Sequence, residues 1–64
     1  MKEKPITIEG RSCTVQTHDR AGKEVATVFL QGRKKGTEPT HLATDENEAR
    51  AIRTARRRLL KEAI

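Results

Sequence analysis

This 64-residue sequence predicts an α+β fold: a three-stranded antiparallel meander packed by one C-terminal helix, with room for a short extra N-terminal strand. Three observations carry that reading. Apolar and polar residues alternate over 12–18, the two-residue period of a strand, and 24–31 reads as a central strand with apolar residues on both faces. Polar, glycine-containing segments follow each run, at 19–23 and 32–39. From Ala49 onward the apolar residues recur at helical spacing, behind an acidic start.

At the N-terminus, Pro5-Ile6-Thr7-Ile8-Glu9 alternates, and Pro5 suits a strand start or an edge. Gly10-Arg11 reads as a turn or bulge. Ile6 and Ile8 then belong either to a separate short strand or to one long strand bent at Gly10. In the next strand Cys13, Val15 and Thr17 share a face. Asp19-Arg20-Ala21-Gly22-Lys23 predicts a hairpin loop of three to five residues, with Gly22 supplying a positive φ. Residues 24–31 form the central strand, with Val25, Thr27 and Phe29 on one face and Ala26, Val28 and Leu30 on the other. Apolar residues on both faces mean that one packs on the helix while the other is partly covered or joins an interface. The single aromatic residue, Phe29, is read as core.

Gly32-Arg-Lys-Lys-Gly-Thr-Glu-Pro39 is a second, solvated turn. A short third strand over 40–43 follows, with Leu42 inward. Thr44 or Asp45 is placed to cap the helix, with Glu48 three residues after Asp45 as a capping box requires. Acidic residues in that first turn suit the positive end of the helix dipole. The helix is expected to run to about residue 62, roughly 27 Å at 1.5 Å per residue. Ala49, Ile52, Ala55, Leu59, Leu60 and Ala63 form the arc expected to pack on the sheet. Arg56 falls within that arc, its stem over apolar surface and its guanidinium reaching solvent or a carboxylate.

At this length the chain is one domain, 1–64, and such a domain buries only about 60% of its unfolded surface. Hydrophobic residues make up 33%, many of them alanine, and charged residues 36%. Dimerisation is one way for so small a core to gain stability. A single cysteine, Cys13, precludes an intramolecular disulfide and fits a reducing compartment. There is no apolar leader and no apolar run near the roughly 20 residues that span a bilayer, so a cytoplasmic protein without membrane contact is expected.

Catalytic and metal chemistry find little to build on. Cys13 and His18 are five residues apart on one strand and so face opposite ways. One cysteine and two histidines match no zinc spacing, and the carboxylate pairs fall in the helix cap. The 32–36 loop lacks the pattern of a phosphate-binding loop. A non-enzymatic domain without metal or cofactor is therefore expected.

The remaining constellation is cationic. The net charge is +5 and the pI near 10. Arg50, Arg53, Arg57 and Lys61 recur at helical spacing, with Arg58 at the margin and Arg33, Lys34 and Lys35 in the second turn. Three contacts within the stripe set like charges three or four residues apart, each destabilising a helix by about 0.2–0.5 kcal/mol. Long cations spread over one surface suit phosphate contacts, and arginine also reaches guanine edges in a groove. The competing reading is a solvated helix face, with Glu46–Arg50 and Arg58–Glu62 as ordinary i,i+4 pairs. Single-strand binders stack bases on aromatic rings, and only Phe29 is present, so duplex nucleic acid is favoured.

The order strand, turn, strand, basic turn, short strand, helix is similar to that of some three-stranded-sheet DNA-binding domains. Integrase N-terminal domains and plant ethylene-response-factor domains are examples, and that resemblance implies major-groove reading by the sheet. The order also resembles the second half of a double-stranded RNA-binding domain. That family's first helix is absent here, and Asp45-Glu46-Asn47-Glu48 stands where its lysine cluster would begin the last helix. No sequence motif of these families is present. The partners expected are DNA or double-stranded RNA or, in the alternative reading, an acidic protein surface or a second copy of the chain.

Overall fold

The computed structural model describes residues 2–32, 36 and 38–62. Strands β1 (Lys2–Ile8), β2 (Arg11–Arg20), β3 (Lys23–Leu30) and β4 (Thr40–Asp45) form one antiparallel meander in the order β1-β2-β3-β4, and helix α1 (Glu48–Glu62) crosses one face. The α+β class is as the alternation required. The extra N-terminal strand is not short: β1 pairs with β2 along seven residues, from Lys2↔Thr17 to Ile8↔Arg11.

Both early hairpins close through two residues. Glu9 (φ 50°) and Gly10 (φ 74°) join β1 to β2; Ala21 (φ 53°) and Gly22 (φ 79°) join β2 to β3. Positive φ at both central residues is the type I′ geometry, whose twist matches that of the flanking strands. The longer loop expected at 19–23 is therefore corrected, because Asp19↔Glu24 and Arg20↔Lys23 continue the ladder. The left-handed conformation costs about 1–2 kcal/mol at a non-glycine residue, and the tight loop requires it at Glu9 and Ala21.

Register assigns the faces. Ile6, Ile8, Cys13, Val15, Ala26, Val28 and Leu30 line the helix side of the first three strands. β4 extends two residues beyond the expected 40–43, and its register shifts between Phe29↔His41 and Val28↔Ala43. Leu42 is thus the extra residue of a bulge, which re-aims side chains locally. The consequence is that consecutive residues Leu42 and Ala43 both enter the core. Phe29 is not in that core. It is half-buried on the opposite face, edge-on to His41 at 5.8 Å between ring centres, because α1 took the Ala26–Val28–Leu30 face.

The helix begins later than expected. Asn47, not Thr44 or Asp45, is the cap: its Oδ1 accepts from the Arg50 amide at 3.1 Å and its carbonyl from Ala51 at 3.0 Å. Asp45 instead accepts from the Asn47 amide at 2.9 Å, turning the chain out of β4. Glu48 is the first helical residue, so no capping box forms, and fifteen residues give about 22 Å of helix. The buried stripe is Ala51, Ala55 and Leu59, with Ile52 half-buried. Ala49 is exposed and Leu60 is 47% exposed, so the expected arc is rotated by about 60° at 100° per residue. Ala63 lies outside the described residues. α1 packs closest on β4 and β3, and Ile8, Cys13 and Val15 of β1 and β2 are buried in the same core.

Neither sheet edge invites a further strand. β1 carries Pro5 among lysines, and β4 is bulged, two devices that blunt edge pairing. Replacing Asn47 by alanine is expected to cost about 1 kcal/mol, a fall of roughly 4–8 °C in Tm for a domain of this size. Thermal unfolding followed by circular dichroism checks this; a neutral Asn47→Ala would move the cap elsewhere.

Candidate nucleic-acid interface

The stripe's position follows from the helix phase. With Ala51, Ala55 and Leu59 turned to the sheet, Arg50, Arg53, Arg57 and Lys61 fall on the opposite side, and all four are exposed. Arg58 is also exposed, on one flank of that side, while Arg56 lies on the other. The helix carries six cations against Glu48 and Glu62, a net +4 of the chain's +5. The loop cations Arg33, Lys34 and Lys35 lie outside the described residues.

Tertiary ion pairs sort these cations. Arg50 Nε lies 3.6 Å from Asp45 Oδ1, so its partner is not Glu46, which instead faces Lys23 Nζ at 3.5 Å. Arg56 Nε meets Glu9 Oε1 at 2.6 Å, so of the two outcomes expected for its guanidinium, solvent or a carboxylate, it takes the carboxylate. Lys4 Nζ reaches Glu48 Oε1 at 2.7 Å. That oxygen is enclosed and has no well-aligned hydrogen bond among the described residues, so the Lys4 contact is ionic. All four pairs are largely exposed, and such pairs typically contribute about 0–1 kcal/mol. The other half of the expected Arg58–Glu62 pair is a side chain outside the described ones. Among the described residues Arg53, Arg57, Arg58 and Lys61 form no ion pair.

Sequence spacing missed these partners because all four pairs join different elements. Glu9 sits in a tight turn more than forty residues from Arg56.

The opposite surface is the uncovered face of the sheet. There Gln16 Nε2 donates to Glu3 Oε2 at 3.0 Å, Gln31 donates to Thr14, and Thr44 donates to Thr27 Oγ1 at 3.4 Å. His41 Nε2 shares a proton with Thr44 Oγ1 at 2.7 Å. The polar groups of this face thus largely satisfy one another, and Thr14 and Thr27 are buried among them. His18, expected to be solvated, is half-buried on the same face, and Cys13 lies on the other. Burial pushes the Cys13 thiol above its ordinary range, consistent with a packed side chain rather than an ionised one.

A groove of about 530 Å³ lies beside the start of α1; Lys2, Lys4, Glu24 and Glu48 line it with Val15 and Thr17. Its charges are of both signs. No three potential metal ligands cluster among the described residues, and no described helix is long and apolar enough to cross a membrane. No protein-family model, curated protein or solved structure matches the chain.

The cationic face therefore reduces to Arg53, Arg57, Arg58 and Lys61, with Arg50 held loosely. Arg57 has like charges four residues away on both sides, at Arg53 and Lys61. Arg57→Gln is expected to stabilise the free protein, by about 0.2–0.5 kcal/mol for each relieved pair at low salt. The gain should fade as salt screens the repulsion. Urea unfolding at two ionic strengths checks this, and a destabilised variant would mean that Arg57 has an internal partner.

Proposed function

We propose that this domain binds duplex nucleic acid, through phosphate contacts made by the outer face of α1. The observation that carries the reading is the row Arg53, Arg57, Arg58 and Lys61: exposed, on the side away from the core, and without a described carboxylate. Mutual repulsion along such a row is relieved when phosphates replace solvent. Duplex is favoured over single strand by the arrangement of the two faces. Phe29, the one aromatic platform, lies on the sheet face, away from the cations, so one strand cannot both stack on it and follow the stripe.

The second reading is association through the uncovered sheet face, with a second copy or another protein. Phe29, half-buried on that face, is what favours it. The two readings respond oppositely to salt, because phosphate contacts weaken as counterions compete while apolar association persists.

Anisotropy of a labelled random duplex, titrated across salt, tests the proposal. Four neutralised phosphates give a log–log slope of about −3.6, at about −0.9 each. Arg53→Gln with Arg57→Gln should lower the affinity and reduce the slope to about −1.8. Absence of binding at low salt, or a slope indifferent to the double substitution, would overturn it.

A further inference from the structure

Resting on that reading, we infer that the duplex is B-form DNA and that α1 enters its major groove. The cations are not a line along one edge of the helix. Arg53 and Arg58 are five residues apart, which places them about 140° apart around the axis, with Arg57 and Lys61 between them. All four are exposed. A helix laid along a single strand would use one narrow row. Cations on two flanks with others between them match a groove with a phosphate wall on either side and base edges at the floor. Between Arg53 and Arg58 around the axis the one residue that is not a cation is Thr54, which is exposed and small; Leu60 and Ala49 lie just beyond Arg53.

Dimensions agree. A helix with its side chains is about 10–12 Å across, and the major groove of B-DNA is about 12 Å wide and 8.5 Å deep. α1 lies closest to β3 and β4, toward one edge of the sheet, and its outward side stands clear of the strands. From Arg53 to Lys61 the axis advances about 12 Å, or three to four base pairs at about 3.4 Å each. Arg53 and Arg58 then take phosphates on opposite strands, while Arg57 and Lys61 lie over the groove between them, where their charges still displace counterions and Arg57 reaches the O6 and N7 acceptors of guanine. The major groove of A-form RNA is deep and narrow and does not admit side chains in this way. The sheet face is the wrong surface for this contact, since its polar groups bond to one another and it carries few cations.

The test uses the intact chain with DNA and RNA duplexes of one mixed sequence, compared by anisotropy at one salt concentration. Dimethyl sulfate probing of the DNA complex accompanies it. The expected result is at least tenfold tighter binding to DNA. Guanine N7 in the major groove should be protected and adenine N3 in the minor groove should remain reactive. Arg57→Gln, with the helical circular dichroism retained, should lose that N7 protection. Equal affinity for the two duplexes, or protection of adenine N3 instead, would overturn major-groove docking while leaving phosphate binding intact. Binding to neither duplex would overturn both.

Discussion

The close approach of α1 to the β3–β4 half of the sheet is the constraint on which the rest of the structure depends. Two alanines permit it. Ala51 and Ala55 are fully buried, and they bring the helix backbone down onto Val28, Leu42 and Ala43. The bulge in β4 serves the same contact by turning two consecutive residues inward. Larger residues at 51 or 55 would lift the helix, and overpacking of this kind typically costs about 1–3 kcal/mol. Once that contact is set, the rotation of the helix is set with it, and so is the outward direction of every arginine.

The two broad surfaces then acquire opposite characters. The sheet face is tied by side-chain hydrogen bonds and closed at its edges by Pro5 and the β4 bulge. The helix face holds most of the net charge. Peripheral ion pairs trim that charge at its margins, Arg56 to Glu9 and Arg50 to Asp45, and so concentrate what remains along Arg53, Arg57, Arg58 and Lys61. A partner of uniform negative charge fits this surface better than an acidic protein, whose carboxylates would need to match the row one by one.

Much of the fold was legible because strand alternation and helix periodicity are strong in this chain. The two faces of β3 and the inward Leu42 follow from period alone. What was illegible depended on long-range packing. Tight loops at Glu9-Gly10 and Ala21-Gly22 arise because polar strand ends continue to pair. The helix arc was misplaced because alanine adds little to a hydrophobic pattern, so Ala51 looked no more inward than Ala49. Phe29 was misassigned because which face of β3 the helix would take is a tertiary choice. For the same reason the stripe was visible by spacing, but the carboxylates at its margins, Glu9 in the first turn and Asp45 at the end of β4, were not.

The most direct measurement of the central claim is a map of amide and arginine side-chain NMR shifts as a short DNA duplex is titrated into the labelled protein. The account predicts that changes concentrate on α1 from Arg50 to Lys61, strongest at Arg53, Arg57 and Arg58. Thr14, Gln16, Thr27 and Phe29 on the sheet face should stay still. Changes centred on those sheet residues, with a silent helix, would contradict it.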